Sequence, residues 1–332
     1  MRTGHPAVDA SMMEHALALG GAVRGETSPN PWVGAVVVGD EGVLASGATE
    51  PPGGRHAEVV ALDAAGARAR GATLYVTLEP CSHVGRTPAC TGRIIEAGVR
   101  RVVVGVEDPD AHVRGSGLAA LRAAGVDVTV GVLEAEVRRS LAPYLHHRST
   151  GRPYVVLKWA QSLDGRIAAA DGSSKWITSE EARRDAHALR AACDAILVGA
   201  GTVRADDPAL TVRLGTSDRQ PLRVVLGHAP PGARVQPCVE LSGPLADVLD
   251  ELGARGVLQL LVEGGASVAH EFVEAGLVDR FVVYIAPVLF GGDDGAPALR
   301  GPGAPTIADV ARGRFVSVVR VGEDLRVEVE TQ

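Results

Sequence analysis

His56-Ala57-Glu58, then Pro80-Cys81-Ser82-His83, then Pro88-Ala89-Cys90: this stretch gathers one imidazole, two thiols and one carboxylate, and the N-terminal half of the chain is organised around it. Zinc favours tetrahedral sites of imidazole and thiolate, and a catalytic site takes three protein ligands while leaving the fourth position to water. His56, Cys81 and Cys90 supply three such ligands. Metal-bound water loses a proton near neutral pH, and a carboxylate that is not itself a ligand can carry that proton to a leaving amine. Glu58, two residues from His56, fits that role. The alternative is a structural zinc knuckle, or two buried cysteines beside an unrelated surface histidine. A structural site wants a fourth protein ligand and has no use for Glu58. His83 either touches substrate or caps its loop.

A His-x-Glu followed by Pro-Cys and a second cysteine is the signature of zinc deaminases. Here eight residues separate Cys81 from Cys90, where the common nucleoside and nucleobase deaminases have two. Pro80-Cys81-Ser82-His83, Gly85-Arg86-Thr87-Pro88 and Cys90 resemble the deaminase half of the bifunctional riboflavin-biosynthesis deaminase-reductases. The resemblance implies a cytidine-deaminase-like three-layer α/β/α domain that removes the 2-amino group of a diaminohydroxyphosphoribosylaminopyrimidine by hydrolysis, with reduction of the ribose to follow. It also implies that Asn30, in Asn30-Pro31-Trp32-Val33-Gly34-Ala35, reads the pyrimidine with its amide. The alternative is an asparagine held in its turn by its own backbone bond. Thr49 stands where many family members carry a histidine.

With 332 residues, 46% of them hydrophobic, the chain suits two domains, each with a buried core. A formal charge of -7 with no basic run, and only 3% aromatic residues to stack on bases, argue against nucleic acid as a partner. Four cysteines, two of them assigned to zinc, suit a reducing cytoplasm. No window reaches transmembrane length and the N-terminus lacks a signal-peptide core, so a small molecule and not a membrane is the expected partner.

Along the chain, Asp9 or Ser11 would cap a helix running to Ala22. Strands follow from Val33 to Val38 and from Val43. Pro51-Pro52-Gly53-Gly54 breaks structure before a helix from Ala57 to Arg70, whose positive N-terminal end would hold Glu58 ionised. Strand Thr73 to Thr77, strand Arg101 to Val106, a helix from Gly115 to Ala124 and strand Val126 to Val130 continue an α/β alternation. A last helix through Leu145 gives way to His146-His147-Arg148-Ser149-Thr150-Gly151-Arg152-Pro153, a polar linker between domains at 1–147 and 153–332. Linker exposure explains the two histidines better than a metal.

The second half reads as its own α/β domain, with strands Tyr154 to Ala160, Ala195 to Gly199, Leu222 to Leu226 and Leu258 to Val262. Gly199-Ala200-Gly201-Thr202-Val203-Arg204 is a weak dinucleotide fingerprint, since Arg204 stands where a third small residue belongs. Glu263-Gly264-Gly265 is stronger, because backbone N–H groups and the helix start near Ser267 could approach a phosphate there. A tight strand-to-helix turn is the alternative. These segments, with Ser162-Leu163-Asp164-Gly165, Trp176-Ile177-Thr178-Ser179 and Ala205-Asp206-Asp207-Pro208-Ala209-Leu210-Thr211-Val212-Arg213, resemble the reductase half of the same family. That half is similar in fold to dihydrofolate reductase.

The resemblance implies NADPH held by Ala160, Trp176, Thr202, Asp206, Gly265, Ala266 and Ser267, and substrate held by Ser174, Arg190, Leu210, Arg213 and Glu263. Arg190 and Arg213 would clamp the substrate phosphate, the alternative for each being a surface ion pair. Lys158 and Asp206 are candidates for proton delivery. His228 stands where a serine often touches cofactor, in a stretch from His228 to Ser242 that is shorter than in longer members. The resemblance further implies a dimer or larger assembly. A chain in which one half only binds or scaffolds remains the rival from a different class.

Overall fold

The computed structural model describes residues 4–82, 89–110, 113–213 and 219–331. The chain divides into two compact units, Met1–Gly151 and Arg152–Gln332. In the first, α1 (Pro6–Ala22) leads to β1 (Gly34–Gly39), β2 (Gly42–Ala48), α2 (Ala57–Ala65), β3 (Thr73–Leu78), α3 (Cys90–Glu96), β4 (Arg101–Val106), α4 (Ser116–Ala123), β5 (Asp127–Val130) and α5 (Glu134–Thr150). The sheet runs β2-β1-β3-β4-β5, antiparallel across β2, β1 and β3 and parallel from β3 to β5. Strands β1 and β3 are buried almost throughout, as apolar runs covered on both faces should be. Helix α1 lies on β1 and β3 with α5 beside it, whereas α2 packs on β2 and β1 and touches α3.

Two glycines set that packing. A Cβ on Gly34 would collide with the carbonyl oxygen of Ala16, and one on Gly20 with that of Trp32, so α1 rests backbone to backbone on the start of β1. The cap of α1 is His5, whose Nδ1 accepts from the Ala7 N–H at 3.3 Å, with Pro6 in the first turn. Asp9 is inside the helix and buried. Its carboxylate takes the Tyr75 hydroxyl at 2.7 Å and two nitrogens of Arg101 at 3.0 and 2.8 Å, which ties α1 to β3 and β4.

The polar run from His146 is not a linker throughout, because α5 continues through it to Thr150. Ser149 and Thr150 return their hydroxyls to the carbonyls of Leu145 and His146 at 2.8 Å, which satisfies the last turn, and Gly151 ends the helix at φ 78.

The second unit contains β6 (Tyr154–Ser162), β7 (Arg166–Ala168), α6 (Glu180–Ala191), β8 (Ala195–Gly199), α7 (Ala200–Asp206), β9 (Leu222–Leu226), β10 (Val239–Leu241), α8 (Leu245–Ala254), β11 (Gln259–Val262), α9 (Ala266–Glu274), β12 (Arg280–Ala286), β13 (Ala296–Pro297), β14 (Gly313–Val321) and β15 (Asp324–Thr331). Its main sheet is ordered β10-β9-β8-β11-β6-β12-β15-β14, parallel up to β12 and closed by the antiparallel β15 and β14. The chain leaves β8 towards β9 but leaves β11 towards β12. Diverging connections of this kind open a crevice at the carboxyl ends of parallel strands. The C-terminal hairpin is fastened to α6, since Asp324 accepts both the N–H and the hydroxyl of the capping Ser179 at 2.8 Å.

Candidate active sites

His56 is the N-cap of α2, Cys90 is the first residue of α3, and Cys81 lies just beyond β3. The Nδ1 of His56 is 3.2 Å from the Cys90 sulfur and 3.7 Å from the Cys81 sulfur, and the three donor atoms lie within 4.8 Å of one another. Tetrahedral imidazole and thiolate ligands around zinc stand about 3.5 Å apart, so the set fits that ion. The Cys90 thiol bonded to Cys81 holds the Cys81 thiol down to about 4, against burial, and the same contact with burial pushes Cys90 up. Two sulfurs competing for one proton become two thiolates on a divalent cation.

Glu58 is buried in the first turn of α2. Burial pushes its carboxyl up, against the attraction of His56. A carboxyl raised towards neutrality suits a proton shuttle. Both groups face a cavity of about 400 Å³ that also takes in Asn30, Thr49, Asp108 and Tyr144. The Asn30 turn is closed by backbone and Thr27, with Asn30 N–H to Thr27 O at 2.9 Å and Thr27 Oγ1 to Asn30 O at 3.0 Å. That leaves the Asn30 amide for the cavity. Thr49 accepts from the Val33 N–H at 3.1 Å and so positions the Asn30 segment. His83 and Gly85-Arg86-Thr87-Pro88 lie outside the described residues.

In the second unit, the ends of β6, β8 and β11 bring several of the expected residues together. Glu263, just past β11, receives Arg190 of α6 through Nε at 2.9 Å and Nη2 at 2.5 Å. Burial alone would raise the Glu263 carboxyl, but the charges of Lys158 and Arg190 hold it down to about 2. Arg190 is therefore not an open phosphate clamp, because most of its fork is committed to Glu263. Burial pulls the Lys158 amine down while Glu263 supports its charge, and it sits 5.5 Å from the centre of the Tyr284 ring. Arg213 is exposed.

The two glycine turns also meet. The Gly265 N–H donates to Thr202 Oγ1 at 3.0 Å, so this N–H is spent on α7 and is not offered to an anion as expected. Helix α9 begins at Ala266, leaving the N–H groups of Ala266 and Ser267 at its start. Ala160 is on β6, paired with Tyr284, and Asp206 is exposed at the end of α7. Leu210 is buried at φ 49, a left-handed conformation that branched and bulky residues avoid. Ser174 and Trp176 line a separate hollow of about 230 Å³ with Val288, Leu289 and Phe290. Trp176 is 70% exposed, with the Arg183 guanidinium 4.6 Å above its ring. His228 points outward to Glu240 at 2.9 Å.

Residues 153–327 match the RibD C-terminal domain, and residues 6–106 match the cytidine and deoxycytidylate deaminase zinc-binding region. The riboflavin biosynthesis protein RibD of Mycobacterium tuberculosis strain H37Rv is 48% identical over 316 residues, 91% of each chain. The chain belongs to the RibD family. Solved structures agree: a RibD of Acinetobacter baumannii has TM-score 0.93 at 36% identity, covering 99% of this chain and 100% of its own. A diaminohydroxyphosphoribosylaminopyrimidine deaminase/5-amino-6-(5-phosphoribosylamino)uracil reductase of Thermotoga maritima has TM-score 0.90 at 34% identity, with 99% and 100% covered. Like other RibD proteins, this chain joins a zinc deaminase with a cytidine-deaminase-like fold to a dihydrofolate-reductase-like pyrimidine reductase, and it acts in riboflavin biosynthesis. None of its helices, among the described residues, is long and apolar enough to cross a membrane.

Sequence reasoning missed four residues around the deaminase cavity. Glu79 is buried beside Pro80, and its two oxygens accept the N–H groups of Asp108, Gly115, Gly117 and Leu118 at 3.0 to 3.3 Å. It anchors the start of α4 next to the Cys81 ligand. Asp108 is buried and takes the Tyr144 hydroxyl at 2.9 Å, while Arg148 stacks 5.2 Å from the Tyr144 ring and pairs with Asp110 at 3.7 Å. A signal existed for Asp108 and Glu79, because each ends a buried parallel strand on the side where ligands bind in α/β sheets.

Proposed function

We propose that the N-terminal unit, at 1–147, hydrolyses the 2-amino group from the diaminohydroxyphosphoribosylaminopyrimidine. The C-terminal unit, at 153–332, then reduces the ribose of 5-amino-6-(5-phosphoribosylamino)uracil with NADPH. The observation that carries this is the buried Glu58 carboxyl set beside the His56, Cys81 and Cys90 donors in a cavity large enough for a pyrimidine. His56, Cys81 and Cys90 would hold zinc, which when bound would supply an acidified water. Glu58 would take a proton from the attacking water and return it to the departing ammonia, and the Asn30 amide would orient the base. Leu78 and Val33 give the cavity apolar lining.

In the second unit NADPH, once held, would be the hydride source for reduction of the ribose. Ala160, Trp176, Thr202, Asp206, Gly265, Ala266 and Ser267 hold the cofactor, with Thr202 fixing the Gly265 turn. Ser174, Arg190, Leu210, Arg213 and Glu263 hold the substrate. Lys158 is better placed than Asp206 to deliver a proton, because its amine is buried and depressed whereas Asp206 is exposed. Four free cysteines suit a cytoplasmic enzyme, and the assembly is a dimer or larger. The test is an ultraviolet assay of the purified chain on the pyrimidine product of GTP cyclohydrolase II. Deamination should proceed without NADPH, and ribityl product should form only with it. Ribityl product without deamination would overturn the assignment.

A further inference from the structure

We propose that His187 is a third side chain, beside Arg190 and Arg213, for the phosphate of the reductase substrate. This rests on the reading of the second site as a phosphoribosyl pocket. The starting point is an orphan: the Nδ1 of His187 is buried and bonds to nothing among the described residues. Folded proteins rarely leave a buried polar atom unpaired unless a ligand or water completes it.

His187 lies on α6, four residues after Arg183 and three before Arg190, spacings that put all three on one helix face. Arg183 stacks on Trp176 at one end of this stripe and Arg190 grips Glu263 at the other. The charged groups acting on the imidazole are Arg190 of α6, Arg213 after α7, Glu263 after β11 and Lys158 of β6. Three cations against one carboxylate leave two positive charges, which a phosphate dianion balances. Arg190 contributes its remaining Nη1 edge, since Nε and Nη2 are held by Glu263.

Protonation follows from the same geometry. Burial first, then the charges of Arg190 and Arg213, keep the imidazole below its ordinary range. A dianion placed among them cancels that excess positive charge, so His187 takes up a proton as the phosphate binds. Protonated imidazole holds the dianion more tightly. Affinity for the phosphorylated compound therefore falls as pH rises through the bound-state value, and at low pH the second ionisation of phosphate, about 6, removes the gain.

The test is calorimetry of the NADPH-loaded full chain with the phosphorylated ribitylaminouracil product, run at neutral pH in two buffers of different ionisation heat. Wild type should take up more protons than His187→Asn, and the variant should bind about tenfold more weakly, the loss of one charge-assisted bond. The dephosphorylated product should bind both proteins alike, and NADPH affinity should not move. His187→Gln, made in parallel with thermal unfolding of both variants, separates lost contact from lost fold. Equal proton uptake by wild type and variant, or equal weakening for both products, would overturn the role of His187. If wild type itself binds the two products alike, the phosphoribosyl reading of the pocket fails with it.

Discussion

Glu79→Gln should loosen the deaminase unit well beyond an ordinary loss of surface charge. In the native unit Oε1 accepts from Gly117 and Leu118, and Oε2 from Asp108 and Gly115, all within a side chain that is 4% exposed. Glutamine turns one of those oxygens into a donor, so two backbone N–H groups lose their acceptor. A hydrogen bond to a charged group contributes about 1.5 kcal/mol or more, which puts the loss at about 3 kcal/mol. For a urea slope of about 2 kcal/mol per molar, the midpoint falls by about 1.5 M. Loss of deamination in urea reports on this unit, and loss of NADPH oxidation on the already deaminated compound reports on the other. Only the first midpoint should move. The Pro80 carbonyl packs where a Cβ on Gly117 would sit, so the loosened helix start also disturbs Cys81 and zinc should pass to a chelator faster. An unchanged deaminase midpoint, or an equal shift in both, would show that Glu79 does not anchor α4 as described.

Glu58→Gln should retain one zinc per chain by metal analysis and lose deamination by roughly a hundredfold to ten-thousandfold, because the amide keeps shape but cannot accept a proton. Zinc-free protein given the undeaminated compound should accumulate it and consume no NADPH in a stopped assay; steady oxidation would mean the steps are not ordered. Arg213→Ala should weaken substrate binding by roughly tenfold to a hundredfold and leave NADPH binding and deamination alone. Arg190→Ala should in addition lower reductase stability by about 3 to 5 kcal/mol in denaturant titration, since it strands the Glu263 charge. The Glu263 carboxyl is depressed to about 2, so its contribution to stability is complete above its unfolded value and is lost as pH falls through the folded one. Glu263→Gln should flatten the acid limb of the reductase stability curve between about pH 4.5 and 2.

Much of this was legible because local signals and tertiary roles coincide. The broken segment before His56, the buried strand ending at Glu79-Pro80 and the glycines at 264 and 265 all fell at the element ends the structure shows. What was not legible depended on partners far away in sequence. Asp9 looks like a helix cap until Arg101 and Tyr75 are folded onto it. Arg190 looks like a free cation until Glu263 arrives from β11, and the Gly265 N–H looks available until Thr202 takes it. The hairpin of β14 and β15 gave no clear pattern because its outer strand leaves Phe315, Val318 and Val319 exposed, blurring the alternation that marks a half-buried strand.

The backbone contact between α1 and β1 limits how the deaminase could change its substrate. Asn30 sits four residues before Gly34, and Gly34 is clamped against the carbonyl of Ala16 with no room for a methyl group. Saturation libraries at Gly20 and Gly34 should return glycine almost alone, whichever base is selected for. The start of β1 is thus fixed for evolution as well as for the engineer. New base preferences would have to be written in side chains around it, at Asn30 and Arg148, which line the cavity.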